Sequence, residues 1–230
     1  MQPANLSKKQ KSLLEKLDLA GIEVHYLLAQ KEESDSDEYQ SHQHTALLTL
    51  QKLKEDVDSY FETLMLNDKY KNHKREDFYQ IHIDPSKLSG TQISLDQFLG
   101  TYYSVARNKS AIRGRSSQFL NNYFWAGDEE IKENIINVNQ EFHGLKLGYT
   151  YAFYEPPYSI KGSATEKEEY FKEVEQEFFE KFDIDAQIWR WSDECSNYFD
   201  AGNEWWGNYF YTYSLKGSDK ILGIVASATD

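Results

Sequence analysis

Apolar positions in the first third of the chain recur at helical spacing. Ser7 to Gln30 carries Leu13, Leu14, Leu17, Val24, Leu27 and Leu28. The 13/14/17 and 24/27/28 spacings predict two helices divided at Gly21, because glycine is costly inside a helix. Lys31 to His44 is polar and acidic and reads as a mobile loop. Thr45 to Tyr70 has the clearest stripe: Leu47, Leu50, Leu53, Val57, Tyr60, Phe61, Leu64 and Met65 share one side, with Glu55, Asp58 and Glu62 opposite. Residues 1–71 therefore predict an N-terminal helical hairpin.

The pattern then mixes. Phe78 to Ile83 alternates like a strand, and Asp84-Pro85 ends it. Ser94 to Ala106 predicts a helix with Ser94 and Gln97 as a capping box and Leu95, Phe98, Leu99 and Tyr102 on its apolar face. Ser116 to Trp125 reads as a short helix. Asp128 caps another, Glu129 to Phe142, with Ile131, Ile135, Ile136 and Val138 inward and Gly144 as its stop. Leu145 to Tyr154 reads as a strand, closed by Glu155-Pro156-Pro157-Tyr158. Thr165 to Phe182 is a charged helix, capped by Thr165 and Glu168, with Tyr170, Phe171, Val174, Phe178 and Phe179 inward.

Gln187 to Trp191 is a strand by its aromatic and branched residues. After a polar segment, Ser192 to Glu204, an aromatic run through Leu215 and an aliphatic run from Lys220 to Ala226 flank Gly217-Ser218-Asp219. This is a β-hairpin pattern. Tyr209, Tyr211 and Tyr213 take one face, and Phe210, Thr212 and Ser214 the other. Leu222, Ile224 and Ala226 oppose Ile221, Gly223 and Val225 in the partner. Apolar atoms on both faces place this hairpin at the centre, with helices covering each side. The fold class that follows is α+β: helices packed on a mostly antiparallel sheet, an N-terminal helical hairpin and a C-terminal aromatic hairpin. Residues 1–230 read as a single domain, with 72–230 the mixed sheet and helices.

Composition narrows the function classes. At 40% hydrophobic and 15% aromatic, the chain can build a large aromatic core or recognition surface. The net charge is −13, and residues 145–230 hold 8 Lys/Arg against 16 Asp/Glu. Such a field disfavours non-specific nucleic-acid binding and favours a basic partner. No apolar run is long enough to span a bilayer, the first residues lack the apolar segment of a signal peptide, and Cys195 is the single cysteine. A reducing, cytoplasmic location is expected.

The candidate chemistry centres on the segment after Trp191. Asp193, Glu194, Asp200 and Glu204 lie between aromatic strands, beside Trp191, Trp205, Trp206 and Tyr209. Aromatic anchors among carboxylates suit recognition of a basic protein surface. The leading expectation is thus a non-catalytic binding module, an inhibitor or immunity-type neutraliser of a basic protein. The alternative is a carbohydrate-active hydrolase using a carboxylate pair in an aromatic cleft. A basic cluster, Arg107, Lys109, Arg113 and Arg115, forms a weaker anion-binding candidate, because arginines fork onto oxyanions. His42 and His44 match no metal motif, and no metal or other cofactor is expected. A cysteine nucleophile paired with His143 or His82 is disfavoured, since Asp193 and Glu194 beside Cys195 oppose a thiolate. No G-x-S-x-G, H-E-x-x-H or C-x-x-C occurs.

Overall fold

The computed structural model describes residues 1–32, 35, 37–70, 72–128, 130–136, 147–204 and 206–228, with Glu204 described in its backbone only. In chain order, β1 (Gln2–Pro3) precedes α1 (Lys8–Ala20), β2 (His25–Gln30) and the long helix α2 (Glu38–Met65). Next come β3 (Gly90–Gln92), α3 (Leu95–Leu99), β4 (Tyr103–Ser104), β5 (Lys109–Arg113) and β6 (Tyr123–Trp125). Two helices follow, α4 (Tyr149–Tyr154) and α5 (Ala164–Val174), then β7 (Gln187–Trp191), β8 (Asn208–Ser214) and β9 (Lys220–Ser227). Among the described residues the strands form a six-stranded antiparallel sheet, β1-β2-β9-β8-β7-β3, and a three-stranded one, β4-β5-β6. No helix among them is long and apolar enough to cross a membrane.

The β8–β9 hairpin is buried on both faces, as its two apolar faces require. Tyr209, Tyr211, Tyr213, Leu222, Ile224 and Ala226 pack with α1, α3, α4 and α5. Phe210 and Val225 pack beneath α2, with Ala46, Leu50 and Leu53. The first face is an aromatic cluster. Phe98 stacks on Tyr149 at 5.1 Å and meets Tyr211 edge-on at 5.2 Å.

Several sequence expectations are corrected. Gly21 does end α1, in a left-handed cap at φ 81°. The apolar run beyond it forms β2, not a second helix, and pairs along its length with β9. A strand buried on both faces carries a continuous apolar run, so its spacing mimics a helix. The N-terminal helical hairpin is therefore absent: β2 separates α1 from α2, and the two helices cover opposite faces of the sheet. Helix α2 starts at Glu38, capped by Asp37, so His42 and His44 lie in a helix and not in a loop.

Leu145 to Tyr154 was expected as a strand, but Tyr149–Tyr154 is helical. Tyr149 and Phe153 lie one turn apart and both join the aromatic cluster, so packing overrides the strand preference of aromatic residues. Gly148 permits this, because a Cβ there would come within 2.5 Å of the backbone at Phe98, Leu99 and Gly100. Phe78 to Ile83 forms no strand; its ladder pairing among the described residues is the Ile83–Ser196 bridge. The Ser94–Gln97 capping box forms, yet α3 stops at Leu99 because Gly100 takes φ 73°. Ser116 to Trp125 contains β6 in place of a helix. Of the expected Glu129–Phe142 helix, the described part is a 3₁₀ turn, Lys132–Asn134, and a bridge from Ile136 to Tyr123. Residues 137–146 lie outside the described residues. Helix α5 is capped by Ser163 and Glu166, two residues earlier than the expected Thr165 and Glu168, and passes into a π-helical turn at Glu175–Phe179.

A buried polar chain fixes α2 on the hairpin. Trp191 Nε1 donates to Thr212 Oγ1 at 2.9 Å, and Thr212 Oγ1 lies 2.8 Å from His42 Nδ1. His42 Nε2 meets Ser214 Oγ at 3.1 Å and Glu38 Oε1 at 3.2 Å. The Glu38 carboxylate only accepts, which puts the proton of neutral His42 on Nε2 and leaves Nδ1 to accept from the Thr212 hydroxyl. His42 is fully buried, and burial pushes its pKa down to about 4 against the pull of Glu38. At Gly223 the backbone of β9 passes so close to α2 that a Cβ would overlap the Thr49 side-chain oxygen.

Two outcomes follow from this packing. Gly223→Ala should destabilise the fold by roughly 1–3 kcal/mol, the usual penalty of overpacking, and Thr49→Ala should recover part of that loss in a double-mutant cycle read by urea unfolding. His42 is neutral when folded, while its unfolded imidazole protonates near 6.5. Its contribution is therefore whole above pH 6.5 and is lost as pH falls towards 4. Across that window the wild type should lose on the order of 3 kcal/mol more than His42→Gln. Parallel pH profiles for the two proteins would contradict this.

Candidate functional site

The segment joining β7 to β8 is held against the chain between Tyr79 and Gly90. Ser192 Oγ donates to the Lys87 carbonyl at 2.7 Å and accepts from the Ser89 N–H at 3.0 Å. The Asp84 N–H donates to the Cys195 carbonyl at 2.7 Å. Asn197 bridges two backbone groups, accepting from the His82 N–H at 2.7 Å and donating to the Gln80 carbonyl at 2.9 Å. Phe199 is fully buried, 5.4 Å from Phe210. Hydrogen bonds and one buried ring thus give the loop a defined shape.

The loop sorts the expected binding residues into two groups. Trp191, Trp206 and Tyr209 are core residues. Trp206 Nε1 donates to the Glu155 carbonyl at 2.6 Å, and the Tyr209 hydroxyl donates to the Trp206 carbonyl at 2.9 Å. Their rings are not on the surface that the sequence pattern placed them on. Trp205 and the Glu204 side chain lie outside the described residues. Glu194 and Asp200 are exposed, and Asp193 is half-buried, accepting from Asn208 Nδ2 at 2.9 Å. Among the described residues here, Tyr79 is an exposed aromatic, with 46% of the residue accessible. Partial burial, and then the Asp200 carboxylate, raise its hydroxyl pKa.

The other candidates have internal partners. Arg107 approaches Asp128 at 3.9 Å, beside Lys109 at 2.6 Å from the same carboxylate. Arg113 forks onto Glu155 at 2.7–3.0 Å, and Arg115 lies 3.9 Å from Glu168. Arg113 and Arg115 share a pocket of about 500 Å³ with the start of α5, where Ser163 and Glu166 already cap the helix. Cys195 is buried, and burial, followed by Asp193 and Asp84, pushes its thiol up to about 11. His82 is exposed, and His143 lies outside the described residues. Among the described residues no group of His, Cys, Asp or Glu is placed to hold a metal.

Beside the loop, a cleft of about 900 Å³ opens between β3, β7 and the segment that ends α3. Thr91, Asp96, Thr101, Arg190, Asp193 and Asn208 are among its walls. Thr91 of β3 and Tyr211 of β8 are the cross-strand neighbours of Arg190 in β7. Burial pushes the Tyr211 hydroxyl up to about 12, and the Arg190 charge works against that rise. The sequence pattern singled out the tryptophans of β7 and passed over the arginine between them. The available signal was the period of two, which turns residue 190 away from Trp189 and Trp191. Compared with protein-family models, curated proteins and solved structures, the chain matches none.

Proposed function

We propose that the protein is a non-catalytic module that binds a basic protein partner through the 192–204 loop. The observation that carries this reading is the exposure of Glu194 and Asp200 on an anchored loop, with no ion pair to either among the described residues. Elsewhere the arginines Arg75, Arg107, Arg113 and Arg115 each have a carboxylate within 4 Å. Uncompensated carboxylates in a chain of net charge −13 attract and orient a basic surface. A loop already held by Ser192, Asn197 and Phe199 loses little freedom on docking. Tyr79 supplies an aromatic contact at the edge of the patch. An inhibitor or immunity-type neutraliser uses such a surface, and the single buried cysteine suits a cytoplasmic setting.

A hydrolase reading has one observation of its own: Asp96 and Asp193 line the same cleft. It predicts turnover of a glycoside that Asp193→Asn abolishes.

The binding reading is tested by affinity capture at about 50 and 500 mM salt, with wild type beside Glu194→Gln/Asp200→Asn. A basic partner should be retained at low salt and released at high salt, and the double variant should bind it at least tenfold more weakly. Capture that ignores both salt and the two substitutions would rule out this surface.

A further inference from the structure

Arg190 is the exception among the five arginines of the chain. Four of them stand within 4 Å of a carboxylate. Arg190 is half-buried, yet among the described residues its side chain makes no hydrogen bond or ion pair, and its charge opposes the raised pKa of the Tyr209 and Tyr211 hydroxyls. A guanidinium partly shielded from water, with no protein acceptor for its five N–H donors, is open to an oxyanion. Asp96 and Asp193 line the same cleft, but neither comes within ion-pair distance of it. The cleft lining adds a second unsatisfied group. Thr101 Oγ1 is buried without a hydrogen-bond partner among the described residues, and Thr101 lines this cleft. Thr91 stands directly across from Arg190 on β3.

We propose that this cleft is a binding site for a small organic anion whose carboxylate or phosphate group is held by Arg190, with Thr91 and Thr101 as hydroxyl partners. Guanidinium forks match the paired oxygens of either group. About 900 Å³ suits a metabolite-sized molecule. Asp96 and Asp193 outnumber the one cation, which disfavours a polyanion. They select a ligand that also presents hydroxyl or amino donors. The cleft adjoins the start of the 192–204 loop through Ser192 and Asp193, but the exposed Glu194 and Asp200 do not line it.

The test is thermal melting followed by calorimetric titration with gluconate, with glucose 6-phosphate and with inorganic phosphate, each against sodium chloride of equal ionic strength. At least one of the three should raise the melting temperature beyond the salt control. The gluconate and glucose 6-phosphate arms separate a carboxylate from a phosphate ligand, and response to inorganic phosphate alone marks the oxyanion as sufficient. Arg190→Gln should abolish the response, and Arg190→Lys, which keeps the charge without the fork, should weaken binding about tenfold. Thr101→Val should weaken it severalfold while leaving the unliganded melting temperature equal or higher, since it removes an unsatisfied hydroxyl. It keeps the test open if Arg190→Gln fails to fold. The proposal is overturned if none of the three probes exceeds the salt control, or if the folded variants respond as the wild type does.

Discussion

Every larger feature of this structure depends on a hairpin that is buried on both sides. Strands β8 and β9 have no solvent face, so each must find a different cover. Aromatic helices meet Tyr209, Tyr211 and Tyr213, and a single long helix meets Phe210, Thr212 and Val225. The two covers obey different rules. The aromatic side is filled by rings in edge and stacked contact, where area and shape dominate. On the α2 side the helix comes too close for a Cβ at Gly223, and hydroxyls and an imidazole lie between helix and sheet. Trp191, Thr212, His42, Ser214 and Glu38 are paired with one another there, and that pairing ties the register of α2 to that of β8.

The same pairing reaches the candidate sites. Trp191 is turned towards α2 because its Nε1 must donate to Thr212. With Trp191 on that face, the period of two in β7 leaves Arg190 no choice of side. It is directed onto the opposite face, next to Tyr211, at the edge where β3 is only three residues long. The start of the acidic loop is set by the same residue, since Ser192 follows Trp191 and is bound at once to Lys87 and Ser89. The position of the cleft, the direction of its arginine and the anchoring of the loop thus share one cause in the buried polar chain.

That dependence explains what was legible in the sequence. The hairpin, β7, α1, the body of α2 and the Ser94–Gln97 capping box were readable, because each rests on local period or local hydrogen bonding. Strand β2 and helix α4 were not, because their assignments are made by long-range packing. Tyr26-Leu27-Leu28-Ala29 has helical spacing by accident of double burial, and Tyr149 to Tyr154 has strand composition but coils to seat Tyr149 and Phe153 in one cluster. The loop carboxylates were found from composition, and Glu194 and Asp200 are exposed. The rings beside them were misplaced for a physical reason: burial of Trp191, Trp206 and Tyr209 is settled by distant partners at Thr212 and Glu155 and by packing around them. The local period of two sets the face of Arg190, but its meaning comes from the partners its side chain lacks.

The separation of rings from charges also bears on what each site selects. A surface with exposed tryptophans would hold a partner chiefly by desolvated apolar area. The described part of the loop offers charge on an anchored backbone, with Tyr79 at its edge, so recognition through those residues depends more on electrostatic complementarity and on salt. The cleft works in the reverse sense. In a chain of net charge −13 the long-range field repels anions, so an anion reaches Arg190 only if the short-range gain from the guanidinium and from hydroxyl contacts exceeds that repulsion. Asp96 and Asp193 sharpen the discrimination, because a ligand that satisfies Arg190 alone leaves two carboxylates facing its remaining surface. A molecule with an oxyanion at one end and donors at the other meets both conditions, whereas simple anions meet one.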